Sequence, residues 1–178
     1  MRSTAEALLI VFAGLPGAGK TTLSRDLARE LGAVHLRIDT IECALRAALP
    51  ADHPLDDLGY RAAYAVAEDN LRLGRSVVAD SVNPLQITRD AWHAVARRAG
   101  VRVVDVEVVC SDSSEHRRRV ETRAADIAGH RLPTWQEVVE REYHAWTKPR
   151  IVIETAGKST AEALSVLRSA LAAAVSDA

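Results

Sequence analysis

The chain has 178 residues, a length typical of one domain with a substantial buried core. Its 23 basic and 24 acidic residues give a formal charge of −1 without a basic tail, which argues against a dedicated nucleic-acid binder. Cys43 and Cys110, the only cysteines, are too few for a disulfide framework or a zinc site and favour a cytoplasmic protein. We expect no membrane association, because no apolar stretch is long enough to span a bilayer.

Near its start the chain carries an apolar run, a glycine-rich segment and an amphipathic segment in direct succession. Residues 7–13 predict a buried parallel strand, and leucines at 23, 27 and 31 predict a helix over residues 22–31. The segment between them is Gly14-Leu15-Pro16-Gly17-Ala18-Gly19-Lys20-Thr21, which fits the pattern G-x-x-x-x-G-K-[ST] at every fixed position. Strand, loop and helix therefore occur in the order that a phosphate-binding P-loop requires.

The residue types of this loop suit a nucleoside triphosphate. Its glycines let successive N–H groups converge on phosphate oxygens at a helix N-terminus. Lys20 is expected to act on the β- and γ-phosphates, and the Thr21 hydroxyl to ligate Mg²⁺. The predicted nucleotide contacts are Gly14, Pro16, Gly17, Ala18, Gly19, Lys20, Thr21 and Thr22.

Two other interpretations of the loop were weighed. The glycines could form a turn that merely joins a strand to a helix, but the correctly spaced Lys-Thr pair opposes this. A dinucleotide-binding G-x-G-x-x-G motif starting at Gly17 requires glycine at position 22, where Thr22 stands.

The rest of the chain continues the alternation of strands and helices. Further strands are predicted at residues 34–38, 76–80, 101–109 and 150–154, and further helices at 40–49, 58–73, 84–100, 113–123, 135–146 and 159–175. Thr40 is expected to cap the first of these helices. Five strands separated by helices predict an α/β fold with an open, mostly parallel sheet covered on both faces.

Two aspartates follow predicted strands, and ligands of open α/β sheets bind at the carboxyl ends of the strands. Asp39 is expected to be the general base that accepts a proton from an acceptor hydroxyl. The alternative is a helix N-terminal acid stabilised by the helix dipole. Asp80 is expected to hold Mg²⁺ as a Walker B acid does, or else to orient loop hydrogen bonds with Ser81 and Asn83.

Arginines cluster after the fourth predicted strand. Arg119 and Arg123 lie four residues apart on one helix face, a spacing suited to stabilising the charge of a transferring phosphoryl group. The alternative is a solvated face on which Arg117 pairs with Glu121. Arg131, in the loop that follows, is a further candidate.

The P-loop and the segments Arg-Ile-Asp-Thr-Ile-Glu at 37–42, Val-Ala-Asp-Ser-Val-Asn at 78–83 and Ile-Glu-Thr-Ala at 153–156 resemble the small P-loop kinases. The nearest branch is the one with zeta toxins, polynucleotide 5′-hydroxyl kinases and chloramphenicol phosphotransferase. The resemblance implies a three-layer kinase fold over residues 1–178, with a parallel sheet in the order 2-3-1-4-5 and a helical lid at about 113–134.

The same resemblance assigns roles to residues. It implies that Asp39 activates the acceptor, that a lid arginine among Arg117, Arg119 and Arg123 contacts ATP, and that Thr155 to Gly157 lie near the adenine. Polynucleotide kinases carry D-x-x-R after the second strand, with the arginine on the substrate phosphate, whereas this chain has Glu42 there. That departure favours a neutral or cationic small alcohol over a nucleic acid.

These inferences lead to a prediction of function. The chain is expected to be an ATP- and Mg²⁺-dependent kinase, a monomer or homodimer, that phosphorylates a hydroxyl of a metabolite, nucleoside or antibiotic. The alternatives are a nucleotide-binding regulatory NTPase and a zeta-toxin-like kinase of nucleotide-sugars.

Overall fold

The computed structural model of the protein describes residues 6–176, in which five strands alternate with helices. The strands are β1 (Leu8–Ala13), β2 (Val34–Arg37), β3 (Val77–Asp80), β4 (Arg102–Val109) and β5 (Ile151–Glu154). The helices are α1 (Lys20–Leu31), α2 (Ile38–Ala48), α3 (Leu58–Arg72), α4 (Gln86–Ala99), α5 (Ser113–Thr122), α6 (Trp135–Val139) and α7 (Thr160–Ser176).

The strands form one parallel sheet in the order β2-β3-β1-β4-β5, as predicted. The order places β3 between β1 and β2, with Asp80 level with Phe12 on one side and Arg37 on the other. The carboxyl ends of the three strands therefore meet at one edge, beside the loop that follows β1.

Each face of the sheet is covered by helices and has its own apolar core. Ile10 and Phe12 of β1 point to the layer formed with α1 and α7. Leu9 and Val11, which alternate with them, point to the layer formed with α3 and α4, where Trp92 is completely buried. A strand buried on both faces must be apolar throughout, which explains the continuous apolar run at 8–13.

Several element boundaries differ by one or two residues from the sequence prediction, and two differences bear on the cavity. Helix α2 begins at Ile38, not after Thr40, and Arg37 is its N-cap residue, without a side-chain cap. Helix α6 ends at Val139, whereas the sequence predicted a helix to Trp146. Its start follows local rules, because Thr134 and Glu137 form a capping box.

The early end of α6 has a tertiary cause. The Trp146 ring lies against the Arg89 guanidinium, with 3.9 Å from the Arg89 Cζ to the ring centroid, and the Tyr143 hydroxyl donates to Glu107 over 3.0 Å. These contacts hold residues 140–150 against β4 and α4 in an irregular path, which a continued helix could not follow.

Candidate functional site

A cavity of about 1270 Å³ lies at the carboxyl edge of the sheet. Its two halves are built differently. The half that holds the predicted nucleotide contacts, called the nucleotide half, is formed by the loop between β1 and α1 (residues 14–19), the start of α1, α5 and the turn after β5. The half in which the sequence predicts an acceptor, called the acceptor half, is formed by α2, residues 56–60, Ser81 and residues 130–141.

The loop at 14–19 has the backbone of a phosphate-binding P-loop. Gly14, Gly17 and Gly19 have φ values of 132°, 84° and 102°, in the region that residues with a Cβ rarely adopt. The Gly14 N–H donates to the Val82 carbonyl over 3.1 Å, and a Cβ on Gly14 would stand 2.2 Å from the Val108 carbonyl oxygen. Gly14 therefore lets the loop pack against the sheet.

Not every predicted P-loop contact lines the cavity. Pro16, Gly17, Gly19, Lys20, Thr21 and Thr22 do line it. Gly14 and Ala18 do not, and Ala18 belongs to the apolar core beneath the loop. Gly17, like Gly14, leaves no room for a side chain, because a Cβ at position 17 would lie 2.5 Å from Val120 Cγ2 of α5.

Lys20 is buried at the base of the cavity. Its Nζ donates to the Leu15 carbonyl over 2.9 Å, which holds the side chain across the P-loop. Burial lowers the pKa of Lys20 to about 8, while the charges of Asp80 and Asp39 act in the opposite direction. Both predicted carboxylates are thus near enough to Lys20 for their charges to act on it.

Asp80 has the features expected of a metal-binding carboxylate. It is 3% exposed, and its Oδ2 has no hydrogen-bond partner within residues 6–176. His35 Nε2 lies 3.7 Å from that oxygen, and burial lowers the pKa of His35, which favours the neutral ring. A buried carboxylate oxygen without a partner, in a cavity shared with Thr21, suits a divalent cation. No group of three or more potential metal-ligating His, Cys, Asp or Glu side chains occurs among the described residues.

Asp39 lies in the first turn of α2 and lines the cavity. Its Oδ2 is 3.5 Å from Arg37 and 3.8 Å from His130 Nε2. Arg37 also donates to Asp126 over 2.7 Å, so that the segment after α5 is joined to the end of β2, two residues before Asp39. The position satisfies both sequence interpretations, since the residue is a helix N-terminal acid that also faces the cavity.

The predicted arginines separate in the structure. Arg119 lines the cavity and donates to the Thr155 hydroxyl and carbonyl oxygens, both over 2.9 Å. Arg123 also lines it, and burial lowers the pKa of its guanidinium. Arg117 does not line the cavity; it pairs with Glu121 at 2.8 Å on an exposed face, which is the alternative that the sequence left open. The geometry therefore does not support its predicted role in ATP binding.

Thr155 connects the end of the sheet to the P-loop. Its Oγ1 lies 2.9 Å from the Ala18 carbonyl and 3.0 Å from the Val109 carbonyl, and the residue is buried. It also lines the cavity. Thr155 thus holds the P-loop and Arg119 together at the nucleotide half.

Sequence reasoning missed some residues of the acceptor half. Arg141, Tyr60 and Ser81 line it, and Glu42, noted earlier only for the missing arginine, lines it too. Arg141 stands in the irregular segment after α6, where the sequence predicted a continuing helix. The pattern Arg141-Glu142-Tyr143 carries no signal that could have placed it there, because its position depends on the contacts of Trp146 and Tyr143 with distant elements.

No curated protein matches the sequence. The structure is similar to the APS kinase CysC of Mycobacterium tuberculosis, solved with AMPPNP and APS, at 20% identity and a TM-score of 0.68, covering 93% of this chain and 98% of that one. A gluconokinase from Sinorhizobium meliloti 1021 gives 19% identity and a TM-score of 0.66, over 94% of this chain and 93% of that chain. Kti12 of Chaetomium thermophilum, solved with ADP-AlF3, gives 22% identity and a TM-score of 0.66, over 90% of this chain and 97% of that chain.

These likenesses show that the fold is that of the P-loop kinases, as the sequence predicted. They do not confirm the branch that the sequence indicated, the one with zeta toxins, polynucleotide 5′-hydroxyl kinases and chloramphenicol phosphotransferase. In the described part of the chain, none of the helices has the length and apolar character needed to cross a bilayer. The family model of the AAA domain matches residues 9–145, well over half of the chain, and the protein therefore belongs to this family of P-loop domains.

Proposed function

We propose that the protein is an ATP-dependent phosphotransferase that moves the γ-phosphate of ATP to a hydroxyl of a small molecule. The observation that supports this most strongly is that one cavity contains both Lys20 after the P-loop and Asp39 in the first turn of α2. A nucleotide-binding loop alone serves switches and motors as well as kinases, whereas a carboxylate in the same cavity suits an acceptor that must lose a proton.

The nucleotide half provides what triphosphate binding requires. The N-terminus of α1 and the N–H groups of the P-loop face the cavity, and Lys20, Arg119 and Arg123 add positive charge there. Thr21 and Asp80 are the residues that would hold Mg²⁺, which would neutralise part of the phosphate charge. The turn at Thr155 to Gly157 is proposed to lie near the adenine.

The transfer is a displacement at the γ-phosphorus. The acceptor oxygen forms a bond to this phosphorus, the bond to the bridging oxygen of ADP breaks, and ADP leaves with that electron pair. Asp39 accepts the hydroxyl proton, while Arg119 and Arg123 stabilise the charge on the transferring group. We propose that residues 113–134 act as a lid that excludes water from this step.

The structural neighbours support the kinase assignment at the level of fold, since an APS kinase and a gluconokinase are among them. Kti12, solved with ADP-AlF3, is also among them and is not described as a kinase, so that a nucleotide-binding regulatory NTPase is our second candidate. Cys43 and Cys110 are free thiols, in keeping with the proposed cytoplasmic location. A monomer or homodimer remains our expectation for the assembly.

A mass-spectrometric screen tests the proposal. The protein is incubated with ATP, Mg²⁺ and a library of alcohols that includes metabolites, nucleosides and antibiotics, and products with one added phosphate are identified. Asp39→Asn is expected to lower the rate by about 10²- to 10⁴-fold, because the base that accepts the proton is lost. Asp90→Asn, an exposed aspartate that pairs with Lys148, is the matched control and is expected to retain full activity.

Two results would contradict the proposal. Absence of any phosphorylated alcohol with the unsubstituted protein would reject the kinase assignment. Slow ATP hydrolysis that depends on Lys20 but is unaffected by every alcohol would favour the regulatory NTPase.

A further inference from the structure

Acidic side chains are concentrated in the acceptor half of the cavity. Lys20, Arg119 and Arg123 line the nucleotide half. The acceptor half carries carboxylates from three separate segments, namely Asp39 and Glu42 of α2, Asp56 and Asp57 before α3, and Glu137 and Glu140 at the end of α6, together with Arg131 and Arg141. The triphosphate accounts for the cations, but nothing in ATP accounts for these acids.

Glu42 is the carboxylate of this group with the most constrained position. It lies three residues after Asp39, so that both side chains project from one face of α2. Gly59 packs directly on it, since a Cβ at 59 would be 2.4 Å from the Glu42 Cγ and 2.9 Å from Oε1. The backbone of α3 therefore prevents the Glu42 side chain from turning away on that side.

Glu42 has hydrogen-bonding capacity that the protein leaves unused. None of the hydrogen bonds and ion pairs of the described residues involves the Glu42 carboxylate, although the charges of Arg46 and Arg141 act on it from a longer distance. Burial, and to a lesser extent the charge of Asp39, raise the pKa of its carboxyl group. A partly desolvated carboxylate without a partner is unfavourable until a donor or a cation reaches it.

A second, independent feature of the acceptor half also indicates a ligand. Ser81 is 4% exposed, lines the cavity, and its Oγ has no hydrogen-bond partner within residues 6–176. The neighbouring Tyr60 hydroxyl accepts from the Asn83 N–H over 3.1 Å and lies beside the Ser81 hydroxyl, so that the two hydroxyls form one polar part of the cavity wall. Buried hydroxyls at a cavity wall are suited to the polar groups of a bound molecule.

The cations that line the acceptor half have neighbours of their own. Arg131 pairs with Glu137 at 2.7 Å, and His130 lies beside Asp39 and Cys43. The charge of Arg141 acts on both Lys20 and Glu42 and lowers the pKa of each, so that this arginine is near the P-loop as well as α2. An anionic acceptor would have to use Arg141 and would meet the carboxylates of α2 at the same time.

We propose that the acceptor is an alcohol that also carries a protonated amine, with its ammonium group bound by Glu42 and its further hydroxyl groups bound by Ser81 and Tyr60. This inference rests on the proposed phosphotransfer and specifies its substrate class. Glu42 acts as a specificity-determining residue, and Asp39 remains the group that accepts the proton.

A matched series on one carbon skeleton tests the inference: glucosamine, glucose, gluconate and glucose 6-phosphate. Binding of each is measured by calorimetry in the presence of a non-hydrolysable ATP analogue, and phosphate transfer is measured with ATP. Glucosamine is expected to bind at least about tenfold more tightly than glucose, because its ammonium group forms a charged hydrogen bond with a desolvated carboxylate. Gluconate and glucose 6-phosphate, the two anions, are expected to bind least tightly.

Substitutions identify the residue responsible. Glu42→Gln is expected to remove the preference for glucosamine over glucose, with a KM for glucosamine that is about tenfold higher or more and a smaller effect on kcat. Glu42→Asp, which keeps the carboxylate, is expected to retain part of this preference. Glu30→Gln, an exposed glutamate of α1 that pairs with Arg168, is the matched control. Ser81→Ala is expected to weaken glucosamine and glucose equally.

The outcomes separate this inference from the proposed function. Phosphate transfer to gluconate or glucose 6-phosphate in preference to glucosamine would support the kinase but overturn the amine specificity. Tighter binding of glucosamine that depends on Glu42, without phosphate transfer to any alcohol, would support the site but reject the kinase. Equal binding of glucosamine and glucose, or no binding of either, would overturn the inference.

Discussion

The two halves of the cavity differ in how the chain builds them. In the nucleotide half, the loop at 14–19 and the start of α1 are contiguous, and the protein itself binds many of their polar groups. Lys20 donates to Leu15, the Pro16 carbonyl lies 2.8 Å from His116, and Thr155 bonds to Ala18. In the acceptor half, segments distant in the chain meet, and Glu42 and Ser81 have no partners among the described residues.

This contrast separates the part of the site that resembles other P-loop proteins from the part that determines the acceptor. A rigid, internally bonded loop can be preorganised for one invariant ligand, the triphosphate, and this requires little reorganisation on binding. Unpartnered groups in the other half gain most from a ligand that supplies their missing bonds. Substitutions in the two halves should therefore have different signatures.

After the loss of Asp39, the largest effect is expected from Lys20→Ala in the nucleotide half. Loss of the ammonium group removes charge stabilisation at the β- and γ-phosphates, and we expect the rate to fall by about 10²- to 10³-fold for every acceptor. Lys148→Ala, an exposed lysine of the irregular segment, is the control. Steady-state kinetics on two different alcohols check the result. A loss restricted to one alcohol would show that the halves are not separable in this way.

Arg89→Leu is expected to destabilise the framework of the acceptor half. Arg89 is buried, stacks on Trp146 and donates to the carbonyls of Asn83, Pro84 and Ala145. Its removal leaves buried carbonyls without donors, for which we expect a loss of about 3 kcal/mol in the free energy of unfolding.

The measurement is urea denaturation, with Arg97→Leu, exposed on the same helix, as the control. A loss below about 1 kcal/mol would mean that residues 140–150 are held by other contacts.

Arg141→Ala is expected to have an intermediate effect on catalysis. Since the charge of Arg141 acts on Lys20, its loss should lower kcat by about 10- to 100-fold while protein stability changes little. Arg98→Ala, which lies on α4 away from the cavity, should leave kcat unchanged. A rise in the KM of an anionic alcohol with unchanged kcat would instead assign Arg141 to the acceptor.

The smallest effect concerns pH. The pKa of Glu42 is raised in the folded protein, so that the folded state binds more protons than the unfolded state between the unfolded and folded pKa values. The contribution of Glu42 to the free energy of unfolding is therefore present at low pH and is lost as the pH rises through the folded pKa.

Glu42→Gln should accordingly be more stable than the unsubstituted protein at pH 7.5, by about 1 kcal/mol or less, and the difference should shrink at pH 4. Urea denaturation at both values measures it. A difference independent of pH would show that folding does not shift the pKa of Glu42, and a less stable Glu42→Gln protein at pH 7.5 would show that the carboxylate is paired.

Sequence reasoning predicted the strands, their order through a family resemblance, and the P-loop. The strands were accessible because continuous apolar runs such as 8–13 reflect burial on both faces. It also placed Asp39 and Asp80 at the cavity, because residues after parallel strands share one edge. It did not predict the end of α6 at Val139, since capping rules describe a helix start better than a tertiary contact that stops it.

What the sequence alone determined is the phosphate-binding half, because its signal is a local pattern of about eight residues with a fixed backbone conformation. Only the tertiary structure decided the acceptor half. The order β2-β3-β1 brings Glu42 of α2 towards Ser81 after β3, and the stacking of Trp146 on Arg89 brings Arg141 to the same cavity. Contacts between residues so distant in the chain follow from packing, and no local pattern encodes them.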